Sequence, residues 1–303
     1  MVPPNIDDQV SFGIFITASQ GCEHANPILE QVIEYKLATD SLVLLEISEG
    51  DCLFTDPAQE GNLPHLRFDS ANEFAMRRRA AESNLGTHTL VIEDHMSIDR
   101  EFLPALRELL AKYKEVPALG FYAVNGTKDN YASRILFRWI FGLAALDLWP
   151  RSPEPVCSAF LLNNNFFSVY REELGREIET GEMESHLIPY VVPRVNGILP
   201  KALHVMHSQS VSIFQAAQGV YENTRISGHL EKDTNIFVWL IILLQRHYFR
   251  FFKILRAKRL SFVESMGVFF LANVGLFGGI VGRFIPIKNS YSRLAKTHPK
   301  LQK

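Results

Sequence analysis

The chain has 303 residues, with 31 Lys+Arg against 33 Asp+Glu and a formal charge of −2. With 47% hydrophobic and 21% charged residues, it holds enough apolar material for about two ordinary domains, which excludes a disordered chain, a collagen-like repeat and a disulfide scaffold. The near-zero charge gives no overall reason to expect nucleic acid as a partner, and the scattered cysteines Cys22, Cys52 and Cys157 read as reduced thiols in a cytoplasmic setting.

Residues 1–8 (MVPPNIDD) are acidic and proline-bearing, without the basic start of a targeting signal, so the N-terminal part is expected to fold in the cytosol. Val10–Thr17 is a short apolar run, as in a buried strand. Asn26–Ala38 has helical spacing, with Asn26-Pro27 placed as a cap followed by proline in the first turn. Ser41–Ile47 reads as a second strand, Ala71–Asn84 as a charged helix, Thr87–Ile92 as a strand, Asp99–Tyr113 as a helix and Pro117–Val124 as a strand. This alternation predicts an α/β fold with a mostly parallel sheet and helices on both faces. Ligands of such sheets bind beyond the carboxyl ends of the strands, so the loops after Thr17, Ile47 and Ile92 are the first candidates for chemistry. The first strand runs into Thr-Ala-Ser-Gln-Gly-Cys and not into GxGxxG, which argues against a nicotinamide-dependent oxidoreductase.

Beyond about residue 228 the chain changes character. Thr234–Gln245 carries no charge, and a basic stretch, Arg246–Arg259, follows. Helical spacing puts Leu244, Tyr248, Phe251 and Leu255 on one face and Arg246, Arg250 and Lys253 on another, which suits an anionic membrane surface. Ser265–Gly282 is again uncharged, roughly 27 Å long as a helix at about 1.5 Å per residue, just short of a hydrocarbon core. Gly278 and Gly282 form a GxxxG. The expected organisation is therefore a catalytic domain over 1–228 and a membrane-attachment region over 229–303, with the basic cluster facing the cytoplasm. Two buried helices of a soluble protein are the alternative. Whether 265–282 spans or re-enters the membrane is left open by its length.

The most informative segment is Ala75–Pro104. An Arg/Ala-rich helix leads to a strand that ends in Glu93-Asp94-His95. Three ionisable residues at the end of a buried strand are costly unless paired or used. Two carboxylates and an imidazole suit Mg2+ or Mn2+ holding a diphosphate. Strand alternation puts Glu93 and His95 on one side and Asp94 on the other.

These residues resemble the inverting family 2 glycosyltransferases of the GT-A fold, which use nucleotide-sugar donors. In that family an Arg/Ala-rich helix, a strand and an Asp-x-Asp motif follow in order, and one branch carries a Glu-Asp-His variant like Glu93-Asp94-His95. Val10–Ser19 is similar to the opening strand whose end cradles the nucleotide, and Glu46 lies where an Asp usually binds base or ribose. Asn163-Asn164-Asn165-Phe166 with Tyr170-Arg171-Glu172 resembles the "GxNxAFRRE" segment beside the acceptor. Gly181–Leu187, Gly197 and His204-Val205-Met206-His207 resemble the catalytic-carboxylate helix and its trailing "G…VxH". Tyr221–Gly228 is similar to a following "GR" segment, and Val268–Gly282 to a membrane tail seen in part of the branch.

The resemblance implies donor contacts from Thr17, Ala18, Ser19, Glu46, Arg78, Arg79 and Asp94, and a divalent metal (Mg2+ or Mn2+) at Glu93, Asp94 and His95. It implies Glu184 as the base, with Glu182 competing for that role, and acceptor or phosphate contacts from Asn164, Asn165, His207 and Arg225. The implied activity is inverting transfer of a sugar to a membrane-proximal, lipid-linked or glycan acceptor at the cytoplasmic side of a membrane, as in the making of cell-envelope polysaccharide. The departure from a strict Asp-x-Asp favours, as the alternative, a GT-A-like membrane scaffold that has lost catalysis.

Overall fold

The computed structural model describes residues 10–18, 22–46, 55–56, 61–67, 73–113, 116, 118–127, 130–141, 156–165, 203–256 and 260–285. Contacts divide the chain into two units, one within residues 1–123, 153–206 and 298–303, the other within 124–152 and 207–297. The break expected at residue 228 is not where contacts divide: residues 213–230 form one helix, and it belongs with the apolar helices that follow.

The first unit is built on an eight-stranded sheet. Its strands are β1 (Phe12–Ala18), β2 (Ser41–Glu46), β5 (His65–Arg67), β6 (His88–Glu93), β7 (Met96–Ile98), β8 (Ala118–Asn125), β9 (Val156–Asn163) and β10 (His204–His207), in the order β5-β2-β1-β6-β9-β8-β10-β7. Two short strands, β3 (Thr55–Asp56) and β4 (Gly61–Asn62), pair separately. β5, β2, β1 and β6 run parallel. β9 is inserted antiparallel between β6 and β8. The parallel block is the α/β sheet that the alternation predicts. β1 and β6 are buried along their whole length, which is why they read as continuous apolar runs.

Helices α1 (Cys22–Tyr35), α2 (Glu73–Glu82) and α3 (Phe102–Lys112) complete this unit. Chain order takes β1 to β2 in one direction across the sheet and β5 to β6 in the other, so right-handed crossovers put α1 and α2 on opposite faces. Side chains agree. Gly13, on one face of β1, lies against Leu85 just after α2, with no room for a Cβ. Phe12, on the other face, lies 4.7 Å under the Arg107 guanidinium of α3. Buried Asp40 fixes that corner, accepting from the amides of Phe12 (2.9 Å) and Leu37 (2.8 Å) and pairing with Arg107.

Two boundaries differ from expectation. α1 starts four residues before Asn26, so Pro27 sits inside the helix and not in its first turn. The helix expected from Asp99 starts at Phe102, because Met96-Ser97-Ile98 forms a short strand with Met96 and Ile98 buried.

The second unit contains α4 (Tyr131–Phe141), α5 (Ile213–Leu230), α6 (Ile236–Leu244), a single π turn (Gln245–Phe249), α7 (Arg250–Arg256) and α8 (Phe262–Phe284). Ile135 and Trp139 of α4, Ala216 and Val220 of α5, and Leu271 of α8 share its core. Capping boxes start α5 at Ser212 and α8 at Ser261. Among the described residues, α8 is the one helix long and apolar enough to cross a membrane.

Candidate active site

Parallel register brings the carboxyl ends of three strands together. Thr17 pairs across to Glu93, and Ala18 to Glu46. β1 is where the strand order turns around: β2 and β5 lie to one side and β6 to the other. In open α/β sheets such a reversal leaves a crevice beyond the strand ends, and ligands bind there. By that rule a ligand here would meet Thr17, Ala18, Glu46, Glu93, Asp94 and His95.

Thr17, Ala18, Glu46, Glu93 and Asp94 are buried. The Thr17 hydroxyl has no hydrogen-bond partner among the described residues. A buried hydroxyl of this kind is an unfavourable choice for stability alone. The strand ends at Glu93, and residues 94–95 turn back toward β7. The amide of Asp94 donates to the carbonyl of Thr17 at 3.0 Å, locking the turn to β1.

The turn changes what the triplet does. His95 meets Glu93 through Nε2 at 3.0 Å and Asp94 through Nδ1 at 3.0 Å. Alternation therefore fails to separate Asp94 from His95, because these two residues are not in a strand. Burial, the largest single influence on His95, lowers its pKa. Hydrogen bonds to Asp94 and Glu93, with their negative charge, together outweigh it and raise the pKa to about 10. His95 is thus an imidazolium at neutral pH, a donor on both nitrogens.

This arrangement differs from the expected metal set. The oxygens held at opposite nitrogens of one ring point apart, too far to share an ion at the roughly 2.0–2.1 Å of a Mg–O bond, and an imidazole that binds a metal is neutral. Among the described residues no group of three His, Cys, Asp or Glu is arranged to hold an ion. As placed, the triplet is a cation held between two carboxylates and does not fit a tridentate Mg2+ or Mn2+ site.

Other expected site residues lie elsewhere. Asn164 and Asn165 follow β9, whose Asn163 pairs with His88 at the amino end of β6. That end is roughly 16 Å from Glu93, at about 3.3 Å per strand residue. Asn164 is occupied structurally: its Oδ1 accepts from Thr89 Oγ1 (2.8 Å), and its Nδ2 donates to the carbonyls of Leu85 (3.1 Å) and Gly86 (3.0 Å). It staples the turn between α2 and β6, where Asn84 and Gly86 take positive φ. Asn165 lines a cavity of about 180 Å³ with Thr87, His88 and Leu110 at this same amino edge. Arg79 is exposed in the last turn of α2, which runs toward the amino edge. Arg78 lies on α2, and its side chain is outside the described set. His207, the last residue of β10, and Arg225 fall in the second unit. His207 is buried there beside Phe137, and Arg225 stands 3.9 Å from Glu222. Ser19, Glu182 and Glu184 lie outside the described residues.

The buried pair Asp40–Arg107, which anchors the start of β1, was not among the expected residues. Its only sequence signal is an Asp directly before an apolar strand.

No family model matches the chain, and no curated protein matches it. Among solved structures, GalNAc-T7 with UDP, GalNAc and Mn2+ aligns at a TM-score of 0.45 and 12% identity, over 74% of this chain and 48% of that one. The mannosyltransferase PcManGT from Pyrobaculum calidifontis, in complex with GDP-Man and Mn2+, aligns at a TM-score of 0.46 and 11% identity, over 98% of this chain and 81% of that one. The chain spans about half the length of the first of these. At such scores neither likeness bears on what the chain does.

Proposed function

We propose that the first unit is a GT-A-type glycosyltransferase domain that takes a sugar from a nucleotide-diphosphate donor and passes it, with inversion, to a hydroxyl of a membrane-proximal acceptor. The observation that carries this reading is the meeting of Thr17, Glu46, Glu93, Asp94 and His95 at the point where the strand order reverses. The buried Thr17 hydroxyl has no partner among the described residues, and at the strand ends it suits a ligand that supplies one.

In this reading Thr17 and Glu46 contact the nucleoside. The His95 imidazolium, engaged on both nitrogens, offsets one of the two carboxylate charges and fixes Glu93 and Asp94 at the strand end; neutralising the developing phosphate charge falls to a group outside this triplet. An acceptor hydroxyl needs a base within hydrogen-bond reach, and Glu184, with Glu182 as its competitor, takes that role by the family resemblance.

The test is a panel of nucleotide sugars, scored for binding and for transfer or hydrolysis, with Glu184→Gln beside the parent protein. Glu184→Gln should bind the preferred donor as the parent does and lose turnover. Full turnover in that variant would move the base to another residue. A panel without any binder would end the reading.

One observation favours a second reading, a non-catalytic membrane scaffold: both carboxylates of the triplet are engaged by His95. Thermal shift with UDP or GDP separates the two. A ligand at 100 times its Kd stabilises an enzyme by about 2.7 kcal/mol, and it leaves a scaffold without a nucleotide site unmoved.

A further inference from the structure

Membrane attachment is part of the reading above, and the second unit carries a more specific statement about its form. Helices α5 and α8 run side by side and parallel. Ala216 and Val220 of α5 share a core with Val268, Leu271 and Ala272 of α8. Thr224 lies at Gly275, and Gly228 at the backbone of Gly279. At the far end Arg283 Nη1 donates to the carbonyl of Glu231 at 2.8 Å. Buried glycines along one face of α8 allow this approach.

The segment from Ile236 to Arg256 returns antiparallel. The rings of Trp239 and Phe284 lie 6.4 Å apart, Leu243 packs at Gly279, and His247 packs at Gly275. Tyr248 Oη donates to Asn273 Oδ1 at 2.9 Å, and the rings of Phe251 and Phe269 lie 5.2 Å apart. The π turn sets this register. It buries Leu243, His247 and Phe251 and leaves Leu244, Phe249 and Phe252 exposed, which replaces the amphipathic face read from the sequence.

These contacts place charge beside the middle of α8. Asn273, at its midpoint, touches Tyr248. Arg250 lies near that level on the return segment, over the Trp139 ring that stacks on His247, which packs at Gly275. The Glu222–Arg225 pair of α5 lies between the midpoint and the far end, where Arg225 meets Gly282, and Arg246 reaches that far end to pair with Glu231 at 2.6 Å. If α8 crossed a bilayer, its packed neighbours would carry Arg250 near the hydrocarbon centre and the Glu222–Arg225 pair within the same leaflet core, where charged side chains are strongly disfavoured. Yet apolar side chains face outward along the whole hairpin: Phe237 and Ile241 on α6, Phe249 and Phe252 beyond it, and Met266 and Phe277 on α8. Residues 246–259 contain six Lys or Arg and no acid. Lys253 leans over the Phe249 ring at 4.9 Å, so a cation and an apolar anchor share one patch. Exposed aromatic side chains interleaved with cations match one leaflet of an anionic membrane.

We propose that the second unit embeds in a single anionic leaflet, with the α6–α7 segment and α8 lying in the membrane plane and neither crossing it.

The test uses the full chain with Cys22, Cys52 and Cys157 changed to Ser and one reporter cysteine at a time: Met266→Cys, Phe270→Cys, Phe277→Cys or Phe284→Cys. Each carries an environment-sensitive fluorophore and is bound to phosphatidylcholine/phosphatidylglycerol vesicles. The vesicles contain quenchers placed either near the headgroup or near the chain methyl end. In-plane embedding predicts stronger quenching by the headgroup set at all four positions. A deep signal at residues 270 and 277 with a shallow one at 284 would mean a spanning helix and would overturn the proposal. Replacing Lys253 and Arg256 by Glu should weaken binding to anionic vesicles at least tenfold and leave binding to pure phosphatidylcholine unchanged; unchanged anionic binding would also overturn it. Absence of any vesicle binding would overturn membrane attachment itself. Donor binding measured in detergent is independent of all these readouts, so loss of the glycosyltransferase reading is recognised separately.

Discussion

Thr17 and Glu93 stand opposite each other at the ends of two adjacent parallel strands, on the same face of the sheet. The glutamate is drawn to His95, while the threonine hydroxyl is buried without a partner among the described residues. This asymmetry separates what holds the fold from what awaits a ligand.

Thr17→Val is therefore expected to leave the free protein as stable as before, or up to about 1 kcal/mol more stable, because it removes a polar atom that gains nothing in the fold. The same change should weaken nucleotide-sugar binding several-fold. Thermal melting and calorimetric titration on one preparation check both halves.

Asn164→Leu should do the reverse. Its amide joins the turn after α2 to β6 through Thr89, Leu85 and Gly86, so the loss should be on the order of 1–3 kcal/mol of stability. Donor affinity should be unchanged, since the residue lies at the amino edge. A large fall in affinity at unchanged stability would return Asn164 to the binding site.

The Asp40–Arg107 pair predicts the largest single stability loss in the first unit. Arg107→Met leaves a buried carboxylate that still accepts two amides but has lost its cation. Breaking a buried pair from one side costs roughly 3–5 kcal/mol. Denaturant unfolding of the variant checks this, and a loss under about 1 kcal/mol would show the pair to be dispensable.

Two histidines bound the pH range of stability. His95 has a folded pKa raised to about 10 from 6.5, so its contribution is complete below pH 6.5 and is lost as pH rises toward 10. His88 is lowered to about 4 by burial, so the fold favours its neutral form; that stability is present above pH 6.5 and is lost as pH falls toward 4. Melting temperature should peak near neutrality and fall on both sides. His95→Gln should flatten the alkaline limb alone.

A direct metal titration follows from the His95 clamp. Because its imidazole is protonated and both ring nitrogens are engaged, Mn2+ added without nucleotide should show no saturable binding at neutral pH in a relaxation-enhancement titration. Tight binding under those conditions would mean that the triplet opens and that the carboxylates are reassigned.

The parallel block of the sheet was legible from the apolar runs of β1, β2 and β6, because strands buried on both faces leave no polar alternation. The expected position of a ligand follows from the same runs, since an α/β order fixes which strand ends face it. β7 was harder to read: Met96-Ser97-Ile98 is too short for a period to declare itself, and a helix starts four residues on.

The sequence by itself determined that polar, ionisable residues crown the first, second and sixth strands, and that the chain turns apolar and basic toward its C-terminal quarter. Local composition and spacing carry both facts. Only the tertiary structure decided how those groups are used. His95 became a clamp because a turn after Glu93 brought both carboxylates to one ring, and Asn164 became a staple because β9 runs antiparallel to β6 and delivers it to the opposite edge. The outward face of the basic segment was set by a π turn and by the glycines of α8, which choose between Leu243 and Leu244 by packing against neighbours distant in the chain. Long-range contacts of this kind leave no periodic trace in the residues that make them.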